Sequence, residues 1–150
     1  GVQLPAEQVD ILSLAEDVKE ILTPSADEKQ ISISVSGAGF TVMGVRRMLH
    51  EVVYNLCDNA IKYNVPGGSV TIHIENNALV VSDTGIGIPA EHKDRIFERF
   101  YRVDAVRTRT GSFGLGLPIA RAIVEEHGGK IWAESNETGN CFFVLLPCEN

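Results

Sequence analysis

The segment from Val45 to Tyr63 limits most what this chain can fold into. Val45, Met48, Leu49, Val52, Val53, Leu56, Ala60 and Tyr63 recur at steps of three and four, which predicts a helix with one apolar stripe turned to a core. It reads as the longest helix of the chain. Such a helix needs an apolar surface to lie on, and the surrounding sequence offers one built of strands. Ile31, Ile33 and Val35 alternate with polar residues, as do Val70, Ile72 and Ile74. Asn76-Asn77 predicts a tight turn, with Leu79 to Val81 as the returning strand. Phe40 to Met43 is expected to pair with Ile31 to Val35 across Gly37-Ala38-Gly39, and residues 1 to 10 to form a lead-in strand.

Two further helices complete the helical layer. Leu12, Ala15, Val18 and Leu22 predict one that ends at Pro24. Leu117 to His127 predicts the other, with Pro118 in its first turn and Gly128-Gly129 at its end. Ile131 to Ala133 and Cys141 to Leu146 predict a closing hairpin whose second strand, apolar on both faces, is central. A short helix is expected from Glu91 to Phe97, then a long loop from Tyr101 to Phe113. Several strands are hairpin-linked, so the prediction is an α+β fold: a two-layer sandwich with helices on one face of a mostly antiparallel sheet. Residues 1–150 fit one domain.

Charge and cysteine usage narrow the function. A net charge of −7 argues against nucleic acid as a partner. Residues 93–109 nevertheless carry six cations (Lys93, Arg95, Arg99, Arg102, Arg107, Arg109) against Asp94, Glu98 and Asp104. That basic stretch suits a small polyanion, or is simply a solvated loop. Cys57, Cys141 and Cys148 include no C-x₂-C pair and read as reduced thiols of a cytoplasmic protein. No apolar run approaches the roughly 20 residues of a membrane span, and no signal peptide opens the chain. The segment is expected to be soluble, whether or not a parent protein is anchored in the inner membrane.

Three segments carry chemistry. On the predicted Val45–Tyr63 helix, the face away from the stripe holds Glu51, Asn55, Asp58, Asn59 and Lys62. Two asparagines one turn apart, both poor helix formers, ask for a reason beyond solvation. An amide oxygen can bind Mg²⁺ without adding charge beside phosphates, and Lys62 can meet a phosphate as a point charge. By itself the pattern is also that of a polar helix face. Next, a strand runs into Ser82-Asp83-Thr84-Gly85-Ile86-Gly87. An ionised carboxylate only accepts hydrogen bonds, so Asp83 can select the exocyclic amine of adenine over the carbonyl of guanine. A capped turn is the other reading. Last, Gly111-Ser112-Phe113-Gly114-Leu115-Gly116-Leu117 runs into a helix, where amides and the helix dipole attract phosphate. It is neither a P-loop nor a dinucleotide fingerprint.

Order and spacing of the three resemble the ATP-binding domain of two-component sensor histidine kinases, within the superfamily shared with DNA gyrase and heat-shock chaperones. His50-Glu51-x₃-Asn55-x₃-Asn59-Ala60-x-Lys62-Tyr63 resembles the N box, Asp83-x-Gly85-x-Gly87 the G1 box, Phe97-Glu98-Arg99-Phe100-Tyr101-Arg102 the F box, and Gly114-Leu115-Gly116-Leu117 the G2 box. The resemblance covers nearly the whole chain. It implies a mixed five-stranded sheet on three helices.

The same resemblance implies the following roles. Asn59 ligates Mg²⁺, Asn55 supports the metal or phosphates, Lys62 contacts phosphate and Tyr63 lies against the nucleotide. Asp83 holds the adenine amine, with Gly85 and Gly87 shaping its pocket. Residues 101 to 113 form a lid over ATP, Arg102 reaches the γ-phosphate, and Gly114, Leu115 and Gly116 present amides. Asn55, Lys62 and Arg102 are the implied catalytic set. Two positions depart from the family: Ser112-Phe113 replaces the usual Gly and Thr or Ser, and no acidic residue precedes the N-box helix around Gly44-Val45.

The implied function is donation of the γ-phosphoryl group of Mg²⁺-ATP to a histidine on a separate dimerisation hairpin, with a response regulator downstream. The isolated domain is expected to be monomeric and its parent a homodimer. No acceptor histidine is expected within the chain: His50 lacks the proline of an acceptor motif, His73 faces outward from a strand, His92 starts a helix, and His127 precedes a Gly-Gly stop. Family hydrolases carry Glu where Asn55 stands, and an amide cannot take a proton from water. That favours a transferase over an ATP hydrolase of the gyrase type. A serine kinase of the anti-sigma type and a non-catalytic ATP-sensing module are the remaining alternatives.

Overall fold

Alternation and turn chemistry build the sheet first. Ser69–Glu75 (β4) and Ala78–Asp83 (β5) form an antiparallel hairpin across Asn76-Asn77. Asn76 takes the left-handed conformation (φ 56°) that tight hairpin turns demand and asparagine tolerates. The computed structural model describes residues 5–87, 95–98, 117–136 and 138–148. On β5 lies Gly139–Leu145 (β7), and outside it Lys130–Asn136 (β6), both antiparallel. On the other side of β4, Ser32–Gly37 (β2) runs parallel, which gives a mixed five-stranded order β2-β4-β5-β7-β6. β7 is central, as expected of a strand apolar on both faces.

The sequence-based pairing of Phe40–Met43 with Ile31–Val35 is corrected. Thr41–Gly44 (β3) instead pairs antiparallel with Glu7–Asp10 (β1) as a separate two-stranded ribbon. The Ala38 N–H donates to the Ile74 carbonyl (2.8 Å), so the chain follows β4 past the end of β2 rather than folding back. Parallel pairing also sets Ile33 and Val35 beside Val70 and Ile72 on the covered face of the sheet.

Three helices among the described residues cover that face: Ile11–Glu28 (α1), Arg46–Lys62 (α2) and Leu117–Glu126 (α3). Asp10 caps α1 by accepting from the Ser13 N–H (3.1 Å). The helix does not stop at Pro24. Proline deprives only the Glu20 carbonyl of its donor, and that turn faces solvent, while buried Leu22 and Ala26 hold both sides of it to the core. At 18 residues α1, not the 17-residue α2, is the longest helix among the described residues. α2 lies against α1, α3, β4 and β5. It therefore buries Cys57, Asn59 and Ile61 besides the expected stripe, while Val45 and Met48 are only half-buried.

No side chain caps α2. The chain entering it is fixed from α3 instead: the Val45 N–H donates to His127 Nε2 (3.1 Å), and His127 Nδ1 is 2.7 Å from the Ile123 carbonyl. That carbonyl is a pure acceptor, so the imidazole proton sits on Nδ1. His50, half-buried on α2, has its pKa lowered by burial and by Arg46, with Asp17 opposing. His73 lies on the open face with Nδ1 2.9 Å from Ser36 Oγ. Of the expected Glu91–Phe97 helix, residues 91–94 lie outside the described residues, and 95–98 form a turn closed by Glu98 N–H to Arg95 O (2.9 Å). His92 also lies outside them. Phe97 of that turn is buried edge-on against Phe142 of β7, with ring centroids 6.4 Å apart.

Candidate functional site

The last turn of α2 and the loop after β5 are built as one piece. The Ile86 N–H donates to the Tyr63 carbonyl (3.2 Å), and Thr84 Oγ1 donates to Asn64 Oδ1 (2.9 Å). Asn64 Oδ1 also accepts from the Val65 N–H (2.8 Å), and its Nδ2 donates to the Ser69 carbonyl (3.0 Å). Gly85 is the contact point. A Cβ there would lie 2.5 Å from the Tyr63 carbonyl oxygen, so only glycine lets the two backbones meet. Two of the three segments singled out in the sequence thus touch in the fold.

Along α2 the candidate residues grade from surface to interior. Glu51 and Lys62 are exposed, Asn55 and Asp58 are half-buried, and Asn59 is 5% exposed. They do not share one solvent-facing side, as the helical spacing suggested, because α2 is covered on several sides. Lys62 Nζ pairs with Asp58 Oδ2 at 2.9 Å, and that bond is the main cause of its raised pKa. Lys62 therefore stays cationic. Tyr63 is buried at the C-cap.

Asp83 ends β5 on the helix-covered face. The Gly85 N–H (2.8 Å) and Asn140 Nδ2 (3.2 Å) both donate to its Oδ1. Burial raises the carboxyl's pKa, and these hydrogen bonds, with one from the Asn140 backbone, oppose the rise. The Gly85 N–H and the Asn140 side chain thus both land on Oδ1. Gly87, half-buried, follows at the end of the described loop. Arg102, Gly114, Leu115 and Gly116, with the 101–113 loop, lie outside the described residues. α3 begins directly after them at fully buried Leu117 and packs on α2 and β6.

Sequence reasoning missed Asn64, Thr84, Asn140 and Ser135. Asn64 and Thr84 sit beside motif residues, and an asparagine directly after a helix end is a signal that could have been followed. Asn140 and Ser135 lie on β7 and β6 with no local pattern to mark them.

Among the described residues no group of three or more His, Cys, Asp or Glu could hold a metal ion. Asn55 and Asn59, the residues of α2 that could hold a metal, offer neutral amides. That suits a hard cation whose remaining ligands and charge balance come from a polyphosphate, rather than a metal held by the protein alone. Nor is any helix among the described residues long and apolar enough to cross a membrane.

Comparison with known proteins agrees with this geometry. A family model described as histidine kinase-, DNA gyrase B-, and HSP90-like ATPase matches residues 44–150. The sensor protein kinase WalK of Staphylococcus saprophyticus subsp. saprophyticus is 49% identical over 107 residues, covering 66% of this chain and 18% of WalK. The chain thus spans less than a fifth of that relative's length. The mycobacterial sensor histidine kinase MprB superposes with a TM-score of 0.82 at 28% identity, over 96% of this chain and 98% of that one. Histidine kinase ThkA, solved in complex with the response regulator protein TrrA, superposes with a TM-score of 0.78 at 28% identity, over 96% and 42%. By its mixed sheet, by the joint between α2 and the Asp83 loop, and by these matches, the chain belongs to the histidine kinase-, DNA gyrase B- and HSP90-like ATPase family.

Proposed function

We propose that this chain holds Mg²⁺-ATP and donates the γ-phosphoryl group to a histidine of a separate dimerisation domain in a two-component sensor kinase. The observation that carries this reading is the direct joint between α2 and the Asp83 loop through Tyr63, Asn64, Thr84 and Ile86. It ties the end of α2, one turn beyond Asn59, to the loop that follows Asp83, which supports reading the carboxylate and the amides of Asn55 and Asn59 as parts of one site.

Asp83 Oδ2 accepts from the adenine amine, and Tyr63 closes the pocket beside the base. Asn59 ligates Mg²⁺ and Asn55 supports the metal or phosphates. When bound, the ion neutralises charge developing on the phosphates. Lys62 exchanges its Asp58 partner for a phosphate oxygen. Arg102 and the amides of Gly114, Leu115 and Gly116 complete the set from outside the described residues. The acceptor imidazole nitrogen forms the new N–P bond as the bond from phosphorus to the β–γ bridging oxygen breaks, and ADP carries away the electron pair. Asn55, an amide and not a carboxylate, cannot take a proton from water. Catalysis is positioning and charge neutralisation.

The partners are a phosphoacceptor hairpin in a homodimeric parent and a response regulator, in keeping with the ThkA–TrrA complex. The chain itself works as a cytoplasmic monomer, even where its parent is anchored in a membrane. Incubating it with a phosphoacceptor hairpin and γ-labelled ATP tests the proposal. Label on a hairpin histidine, with slow release of inorganic phosphate, is expected. Fast release that is lost in Asn55→Ala marks a hydrolase, and nucleotide binding without transfer marks a sensing module; either overturns it.

A further inference from the structure

Asn140 belongs to none of the motif segments, yet the fold buries it to 3% exposure on its central strand. In the sheet register Asp83, Asn140 and Ser135 are partners across β5, β7 and β6. They sit two residues along from the apolar row Val81, Phe142 and Ala133, so all three lie on the helix-covered face. A buried amide without partners costs roughly 1–3 kcal/mol, and Asn140 meets that demand in a particular way. Its Nδ2 donates to Asp83 Oδ1 (3.2 Å) and to the Ile86 carbonyl (2.8 Å), while its Oδ1 accepts from the Ser135 hydroxyl (2.9 Å). Asp83 Oδ1 and Ile86 O are pure acceptors, so the amide can face them in only one of its two orientations.

One side chain thus clamps both ends of the Asp83–Ile86 turn. With the Gly85 N–H on the same oxygen (2.8 Å), Asp83 Oδ1 has two donors, and rotation of the carboxylate about its last bond is blocked. We propose that Asn140 is a positioning residue for base recognition: it fixes the Asp83 carboxylate in the one rotation that presents Oδ2 to the exocyclic amine of adenine. The Ile86 carbonyl, held by the same amide, is withdrawn as a competing acceptor. Neighbouring Gly139 shows how closely β7 approaches this carboxylate's own backbone. Its φ of +151° lies where side chains rarely fit, and a Cβ would fall 1.8 Å from the Asp83 carbonyl oxygen.

The inference rests on the reading that Asp83 grips adenine, and its test separates the two. Asn140→Leu and Asn140→Val each remove the donor; the second suits a central strand, so one variant remains if the other folds poorly. Calorimetric dissociation constants are measured with magnesium for ATP, for purine riboside triphosphate, which lacks the exocyclic amine, and for inorganic tripolyphosphate. ATP affinity is expected to fall about tenfold, the change for one hydrogen bond to a charged group. Purine riboside triphosphate should change less than about twofold and tripolyphosphate not at all, by the same hydrogen-bond argument. Equal losses for ATP and its amine-free analogue, or no loss for ATP, overturn the positioning role. Asp83→Asn is run beside them. If it weakens ATP while both Asn140 variants do not, only the positioning role falls; if it leaves ATP unchanged, the base-gripping role of Asp83 falls first.

Discussion

Gly85→Ala is the sharpest test of how α2 and the Asp83 loop are joined. The added Cβ would stand 2.5 Å from the Tyr63 carbonyl oxygen, where ordinary contact begins near 3.4 Å, so the gap must open by about 0.9 Å. Movement aside is closed off, because Asn64 Cα and Asp83 Oδ1 each lie 3.1 Å away. Opening by that amount breaks the Ile86–Tyr63 hydrogen bond, now 3.2 Å. Overpacking of this kind costs about 1–3 kcal/mol, and the lost bond about 1 kcal/mol more. A net loss of roughly 2–4 kcal/mol follows, a large share of a domain's stability. Urea unfolding followed by fluorescence reads the midpoint directly, with the slope unchanged. ATP titration should show at least a tenfold loss, since Gly85 also supplies the N–H that holds Asp83 Oδ1. A variant with wild-type midpoint and wild-type affinity would refute the reasoning.

Three further outcomes follow. Burial raises the Asp83 pKa, so the folded chain holds that proton more tightly than the unfolded chain; the resulting stability is full below the unfolded pKa and is lost as pH rises through the folded one. Asp83→Asn should therefore melt higher than wild type at pH 7 by calorimetry while ATP affinity drops at least about 100-fold, because the adenine amine then meets a donor; a lower melting temperature contradicts this. Lys62→Met should cost less than about 1 kcal/mol, since the Lys62 end of its pair with Asp58 is exposed to solvent. Equilibrium binding should find ATP about fivefold weaker and adenosine unchanged, as for one lost charge-assisted contact. His127→Ala removes the imidazole joined to Val45 N–H and Ile123 O; denaturation should report a loss of about 1–3 kcal/mol, and an unchanged midpoint would show that those bonds contribute nothing.

What could be read in advance was what repeats along the chain. The stripe of α2, the alternation of β4 and the Asn76 turn each declare their structure within a few residues, and the motif spacing singles out Asn55, Asn59, Lys62 and Asp83 as candidates. Long-range partnership was not declared. Nothing in Ile31–Val35 says that it will run parallel to β4 rather than fold back on Phe40–Met43, because alternation fixes which face is buried and not which neighbour is chosen. Pro24 looked like a stop because its local cost was visible, while the burial of Leu22 and Ala26 that outweighs it was not. Asn140 stayed hidden for the same reason: its role exists only once β7 has inserted beside β5.

That insertion has a consequence for how the protein is made. β7 enters between β5 and β6 although it is translated after both, and the contact that fixes Asp83 spans 57 residues. A growing polypeptide leaves the ribosome amino end first, so β5 must wait with an open edge, and its carboxylate unset, until residue 139 and those following have emerged. Nucleotide cannot be gripped in the intended way before then, and the half-made sheet offers newly synthesised neighbours a strand to pair with. The pocket is finished only when β7 has joined the sheet, which makes nucleotide a ligand of the completed domain and not an aid to reaching it.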